Sequence, residues 1–174
     1  KLADNLQLLE SVLSKPSKLS NKSIIKSITS LMKLRINDDF IDQITDEDII
    51  EIYNPLGVQI FRNLKFYETT AYSLADLLIF EWHELYQRPT KLYEKLSEYV
   101  DYCVNKANSD EIISLNHLPS HIIKEIRSKP INLLEVQFLN LAPITNFERM
   151  NTGLIVTCKA KTMLSLTDKS IAFI

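Results

Sequence analysis

Apolar residues at helical spacing dominate the first part of the chain. Leu2, Leu6, Leu9 and Leu13 recur at intervals of three to four residues, and this run ends before Pro16. A second run follows, with Ser20 or Asn21 as its predicted N-cap. Its positions on neighbouring turns are Ile24, Ile25, Ile28, Leu31, Met32 and Arg35. The pattern therefore predicts two amphipathic helices.

The triplet Asn37-Asp38-Asp39 predicts the end of the second helix, and Phe40, Ile41 and Ile44 form a third, short apolar patch. Stripes of this kind usually pack on a neighbouring domain or on a second copy of the chain. We therefore expect residues 1–45 to be a helical extension used for dimerisation or packing.

Residues 46–61 are compatible with either a helix or two strands. Thr45 and Asp48 form a weak capping box before Ile49, Ile50, Ile52 and Tyr53, whereas Asn54-Pro55-Leu56-Gly57 has the composition of a turn between strands. The β-forming residues directly after Gly57 favour a strand for the second stretch.

The pattern predicts helices in the middle of the chain, from residue 63 to residue 107. Ser73, with Asp76 three residues on, predicts a helix start. Thr90 is the predicted cap of the longest helix, residues 91–107, whose apolar face comprises Leu92, Leu96, Tyr99, Val100, Cys103 and Val104. A short strand is predicted at 112–115. Pro119 and Ser120 then predict a short helix carrying Ile122, Ile123 and Ile126 and ending at Pro130.

The last third changes to strand patterning. Leu134, Val136 and Phe138 alternate with polar residues, which is typical of a half-exposed strand. Asn151-Thr152-Gly153 leads into a second strand at 154–159, so we predict a β-hairpin with a long loop. Residues 170–174 form a third run, a strand or the start of a connecting helix.

The composition of the chain excludes several classes of function. Twenty Lys and Arg against 22 Asp and Glu give a net charge of −2, which offers no broad basic surface for nucleic acid or an anionic membrane. The two glycines, Gly57 and Gly153, cannot form a glycine-rich phosphate loop or a G-x-S-x-G nucleophile motif. Two isolated cysteines and the absence of a long apolar run predict a cytoplasmic protein without a membrane segment in this fragment.

Two stretches resemble the PAS domain, a small sensor module of signalling proteins. The first, residues 63–78, is similar to the family's Asn-x-x-Phe, Thr-Gly-Tyr-Ser and Glu-Leu-Leu segments, with Ala71 in place of the glycine. The second, residues 134–162, has Pro143 after one strand and Gly153 about ten residues later. It ends in Lys159-Ala160-Lys161-Thr162, where the family commonly has Asp-Ile-Thr. Residues 119–128 would be an insertion in the minimal fold.

The resemblance implies an α+β fold with a PAS-like five-stranded antiparallel sheet, short helices and one long helix. The expected domains are the extension 1–45, a PAS-like domain over 46–165 and, at 166–174, the start of a connector to an output region. Because the chain begins at Lys1 rather than Met, we expect it to be a fragment.

In such a domain the inner sheet face and the long helix surround a ligand pocket. The expected pocket residues are Ile60, Leu77, Leu96, Tyr99, Val100, Cys103, Val136, Phe138, Asn140, Ile155 and Thr157. The alternative is that all of them are ordinary core.

The sequence leaves the cofactor unknown. Haem-binding members often carry a histidine on the long helix, which has none here, and the Gly-Arg-Asn-Cys-Arg motif of flavin photosensors is absent. His117 and His121 have metal-ligand spacing, but Pro119 between them argues against one continuous helix. No motif links serine, histidine and acidic residues into a catalytic set.

We therefore expect a non-catalytic sensory or regulatory domain of a signal-transduction protein. It would bind a small molecule or a partner, relay a conformational change and form a homodimer through its N-terminal helices. The alternative is a helical adaptor that binds other proteins without a ligand. The two differ at residues 46–61, since a helix there would favour the adaptor.

Overall fold

A computed structural model describes residues 20–73, 76, 82–128 and 131–166 of the protein. The first apolar run, Leu2 to Leu13, and the last run, residues 170–174, lie outside the described residues. Within them the fold is α+β, as predicted, with few helices and an antiparallel sheet.

The described helices and strands follow one another along the chain. The helices are α1 (Asn21–Leu31), α2 (Asp38–Gln43), α3 (Leu64–Thr69), α4 (Trp82–Leu85) and α5 (Thr90–Asn105). The strands are β1 (Leu34–Arg35), β2 (Ile49–Tyr53), β3 (Gln59–Arg62), β4 (Tyr86–Gln87), β5 (Ile113–Ser114), β6 (His121–Glu125), β7 (Ile131–Asn146) and β8 (Asn151–Leu166).

The sheet is built around one long antiparallel hairpin. β7 and β8 have 16 residues each, and the order across the sheet is β3-β2-β8-β7-β6-β4, with β1 and β5 also paired to β7. Three register shifts interrupt the β7–β8 ladder, one of them between Phe138 and Asn140. Such irregularities bend strands, and the sheet accordingly curls. The described strands exceed the expected five because β1, β4 and β5 add short pairings of two residues each.

Residues 46–61 form strands, which resolves the ambiguity of the sequence. β2 and β3 pair as an antiparallel hairpin. In the turn, the Asn54 side-chain oxygen accepts hydrogen bonds from the backbone N–H groups of Leu56 and Val58, and Gly57 has a φ of +73°. The polar turn residues therefore fix the hairpin, while Ile50 and Ile52 bury one face of β2.

Several local predictions are wrong. The helix predicted to extend to Asn37 ends at Leu31, and Arg35 lies in strand β1. Ile122 and Ile123 belong to strand β6, not to a helix, and β6 pairs with β7 from His121↔Val136 to Lys124↔Leu133. The hairpin loop is short, because β7 continues through Pro143 to Asn146. Pro143 lies between the β5 pairing at Leu141 and the β1 pairing at Thr145, so its missing N–H removes no bond to either strand.

Helices α1 and α2 cover one face of the sheet. The hydroxyl of Ser20 accepts the N–H of Ser23, which makes Ser20 the N-cap of α1. Apolar side chains of both helices and of the sheet form one buried cluster that includes Ile25, Ile28, Phe40, Ile41, Ile44, Ile50, Ile52 and Ile155. The described part of the helical stripe thus packs on the chain's own sheet, at about 1.5–3 kcal/mol per buried side chain.

Helix α5 packs on the opposite face. Leu96 and Cys103 of α5 are buried against Leu141, Leu154 and Val156 of β7 and β8. The helix starts at Thr90 itself, with Pro89 in the capping position, and ends at Asn105, two residues before the predicted end. Among the described helices, none combines the length and apolar character needed to span a membrane.

Candidate functional site

A cavity of about 320 Å³ lies between the sheet and α5. Its floor is formed by side chains of β2, β6, β7 and β8, including Val136, Leu154 and Val156, and α5 covers it with Leu96 and Val100. Pro55 and Asp101, both exposed, also line the cavity, so it reaches the surface beside the β2–β3 turn. Its volume is within the range of small-molecule sites.

The structure brings together part of the predicted pocket. Leu96, Tyr99 and Val100 of α5 line the cavity, as do Val136 and Phe138 of β7. All five come from the long helix and the first strand of the hairpin, the two elements whose periodicity is clearest in the sequence.

The other predicted residues are placed elsewhere. Ile155, fully buried, and Ile60 pack in the cluster with α1 and α2 on the opposite face of the sheet. Asn140 donates a hydrogen bond to Gln43 of α2, and its carbonyl accepts from Thr157. Cys103 of α5 is fully buried but is not part of the cavity lining. Leu77 lies outside the described residues.

The alternation of β8 explains this difference. Leu154, Val156 and Cys158 face the cavity, whereas Ile155 packs in the cluster with α1 and α2, and Thr157 is absent from the cavity lining. Every residue from Leu154 to Cys158 is buried, because both faces of β8 are covered. A strand covered on both faces has no polar side to reveal its orientation, so the sequence alone does not say which residues face the helix.

Polar side chains of β2 and of the segment around β4 line part of the cavity, and we call Glu51, Tyr53, Tyr86 and Arg88 the polar wall. All four residues line the cavity. The Tyr53 hydroxyl donates to Oε2 of Glu51, and the Arg88 guanidinium carbon lies 4.9 Å from the centre of the Tyr86 ring. These residues were absent from the predicted pocket. The available signal is Glu51 itself, a charge within the apolar run Ile-Ile-Glu-Ile.

Burial keeps both phenols of the polar wall protonated. It raises the pKa of Tyr53 and of Tyr86 well above the ordinary value, and the nearby Glu51 carboxylate raises each further. The guanidinium groups of Arg62 and Arg88 act in the opposite direction on both. The wall therefore presents a carboxylate, a guanidinium and two neutral hydroxyls.

The Asn-x-x-Phe segment, residues 63–66, is bonded to β2 and to the start of α1. Asn63 is buried; its side-chain oxygen accepts the N–H of Ile50, and its amide donates to Asn21 Oδ1 and to the carbonyl of Asp48. Phe66 is buried and lines the cavity, and the centre of its ring lies 4.8 Å from the Arg62 guanidinium carbon. Of the two residues that define this segment, Asn63 therefore fixes the start of β2 and Phe66 forms part of the cavity lining.

The Thr-Ala-Tyr-Ser segment is tied to the end of β6. The Ala71 N–H donates to the fully buried Glu125 carboxyl. The Tyr72 hydroxyl donates to the Leu85 carbonyl and accepts the N–H groups of Ile126 and Arg127. Ser73 and Asp76 bond reciprocally, as the predicted capping pair requires.

His117 and His121 make separate contacts. His117, exposed, lies 2.9 Å from the Tyr99 hydroxyl through Nε2, whereas His121 stacks on Phe138 with 5.6 Å between ring centres. Burial lowers the pKa of His121, which favours its neutral form. Across the described ranges, no group of three or more His, Cys, Asp or Glu is placed to hold a metal ion.

Most of the acidic residues near the N-terminal helices lie at helix starts. Asp46 accepts the N–H of Asn21, the first residue of α1, and Asp38 and Asp39 lie in the first turn of α2, where carboxylates are stabilising. Asp48 instead accepts the N–H of Thr45 in the turn before β2.

Comparison with known proteins adds no family assignment. No family model matches the chain, and no curated protein is significantly similar to it.

Proposed function

We propose that this protein is a non-catalytic, PAS-like sensory domain of a signal-transduction protein that binds a small molecule and relays its presence as a conformational change. The observation that carries the proposal is the cavity between the sheet and α5, whose lining is mostly apolar and includes the polar wall. A mostly apolar cavity with a few polar groups is the usual form of a small-molecule site.

The sheet supports the PAS-like interpretation. Among the described strands, the five with four or more residues lie side by side in the order β3-β2-β8-β7-β6, all antiparallel, and α5 packs on them. A five-stranded antiparallel sheet flanked by a long helix is what the resemblance implies. Residues 121–125, predicted to lie in an insertion, supply the fifth of these strands.

A route for the signal leads from α5 to the hairpin. The Asn151 amide, at the start of β8, donates to the carbonyls of Cys103 and Val104, each at 2.8 Å, in the last turn of α5. Because α5 covers the cavity and also bonds to the hairpin, a ligand that displaces α5 would move the start of β8. Val100 and Val104 line the cavity directly before this contact.

The helical adaptor receives no support from residues 46–61, which form two strands. Dimerisation through the N-terminal helices remains a prediction. The apolar faces of α1 and α2 are used within the chain, so a dimer contact requires other residues.

The test is native mass spectrometry and an absorption spectrum of the purified chain, followed by a thermal-shift screen of small molecules. We expect either a bound mass or a hit that raises the melting temperature. Val156→Phe, which fills the cavity, should abolish the effect, whereas Ile122→Phe on the exposed part of β6 should preserve it. A hit that survives Val156→Phe in a folded protein would place binding elsewhere and contradict the proposal.

A further inference from the structure

The polar wall contributes one carboxylate, one guanidinium and two phenol hydroxyls to the lining of the cavity. Oε2 of Glu51 accepts the Tyr53 hydroxyl, which leaves acceptor capacity on the other carboxylate oxygen. The Arg88 guanidinium carbon lies 4.9 Å from the centre of the Tyr86 ring. In addition to burial, the carboxylates of Glu51 and Glu125 raise the pKa of Tyr86, and the guanidinium groups of Arg62 and Arg88 lower it. The phenol therefore lies in the field of both carboxylates and guanidinium groups.

Full charges are poorly suited to this site. Of the cavity-lining residues, Glu51 and Arg88 are the charged pair of the polar wall, while Asp101 is exposed. A ligand carboxylate would meet Glu51 and a ligand ammonium would meet Arg88. Either ion would also lose its hydration among apolar side chains such as Val136, Val156 and Leu134.

A neutral group that both donates and accepts avoids these costs. Its N–H would bond to Glu51, and its carbonyl would accept from Arg88 or from the Tyr86 hydroxyl, which burial keeps protonated. Arginine has five N–H donors, so this bond is compatible with other contacts of Arg88. The Phe138 ring, which stacks on His121, also lines the cavity and offers a flat apolar surface for the body of the ligand.

We propose that the cavity binds a flat, neutral heterocycle whose edge carries adjacent N–H and C=O groups, as in a lactam. The apolar body would lie against β7 and β8, and the N–H and C=O edge would meet Glu51 and Arg88. This inference rests on the proposed ligand-binding function and specifies its ligand class.

The test uses quinolin-2-one and three probes built on the same ring system. N-methylquinolin-2-one lacks the N–H, quinoline-2-carboxylate is anionic, and 2-(aminomethyl)quinoline carries an ammonium group. Calorimetric titration of the full chain should show quinolin-2-one binding at least about tenfold more tightly than each of the others, since a hydrogen bond to a charged group is worth at least this factor.

Variants then assign the contacts. Glu51→Gln and Arg88→Met should each weaken quinolin-2-one at least about tenfold, with little effect on the N-methyl probe for Glu51→Gln. Glu148→Gln, the same change as at Glu51 but on the exposed hairpin loop, should leave all affinities unchanged. If a variant fails to fold by circular dichroism, the comparison of the four probes on the unmodified chain still decides.

The outcomes separate the two proposals. Tighter binding of the carboxylate or the amine, lost in Val156→Phe, would overturn the lactam class and leave the ligand-binding function standing. Equal binding of the lactam and its N-methyl form would overturn the role of Glu51. If no probe binds, and no compound in the thermal-shift screen does, both proposals are wrong.

Discussion

At the scale of single residues, two buried polar side chains decide how the segments around the cavity are fixed. Asn63 satisfies backbone groups of β2 and the residue before it, and Glu125 satisfies the Ala71 N–H. Asn63 is recognisable in the sequence through its motif, but nothing there marks Glu125 as buried. An apolar pattern would bury Ile122 and expose Glu125, whereas Ile122 is 55% exposed and Glu125 is fully buried. Glu125 is buried because its carboxyl accepts hydrogen bonds from the Ala71 N–H and the Ser128 hydroxyl, so a charged residue takes the place expected for an apolar one.

Asn63→Ala should lower the free energy of unfolding by about 2–4 kcal/mol, because three hydrogen bonds are lost and the N–H of Ile50 loses its side-chain partner. Asn116→Ala is the matched control, since Asn116 is exposed and makes one side-chain bond to Ser114. Urea unfolding monitored by circular dichroism measures both. Equal losses for the two variants would contradict the structural role of Asn63.

Glu125 predicts a pH dependence of stability. Burial raises the pKa of its carboxyl above the ordinary value, although the bonds from Ala71 and Ser128 oppose this effect. The folded state therefore holds the proton more tightly than the unfolded state. Its contribution is fully present below the ordinary glutamate pKa, about 4.3, and is lost as pH rises through the raised pKa.

The measurement is the free energy of unfolding of the unmodified chain and of Glu125→Gln at several pH values. From pH 7 downward, the unmodified chain should gain stability relative to Glu125→Gln until the ordinary glutamate pKa is reached. A constant difference between the two proteins across this range would show that the Glu125 pKa is not raised.

At the scale of elements, the sequence predicts strands and helices best where one face is buried and the other is not. Leu134 and Val136 of β7 are recognised for this reason, as is Leu96 of α5. The orientation of β8 and the identity of β6 escape prediction, because residues 154–158 of β8 are buried on both faces and β6 exposes Ile122 while burying Glu125. The extension of β7 through Pro143 is also hidden, since it depends on where β1 and β5 end.

Gly153 is the element-scale position most sensitive to substitution. It has a φ of +151°, and a Cβ there would overlap the carbonyl oxygen of Tyr53 on the paired strand β2. Gly153→Ala should therefore cost at least about 3 kcal/mol or prevent folding. Gly57→Ala should cost roughly 1–2 kcal/mol, because Gly57 has a positive φ but open space around it. Similar losses in urea unfolding would contradict the close β2–β8 approach.

At the scale of the whole molecule, the sheet separates two different environments. One face forms a closed core with α1 and α2, and the other encloses the cavity beneath α5. Composition and motifs predict an α+β domain with a pocket. They do not predict the polar wall, because Glu51 and Arg88 come from segments far apart in the sequence that only the curled sheet brings to one cavity.

The two cysteines report on these environments separately. Burial raises the pKa of Cys103 to about 12 and that of Cys158 well above the ordinary value, so both thiols should react slowly with iodoacetamide at pH 8. Cys158 lines the cavity and Cys103 does not. A cavity ligand should therefore slow the alkylation of Cys158 beyond that of Cys103, as peptide mass spectrometry would measure. Equal protection of both would indicate general stabilisation instead.

The pairing of β2 with β8 has a consequence for how the chain folds. It joins Ile49 to Cys158, so β2 can pair on this side only after β8, the last of the described strands, has been made. Contacts this distant in sequence slow folding, since a large loop must close before they form. During synthesis, a nascent chain that stops before residue 151 has β2 paired with β3 but without β8, and the α1–α2 core lacks Ile155. The domain should therefore fold only once its last strand has left the ribosome.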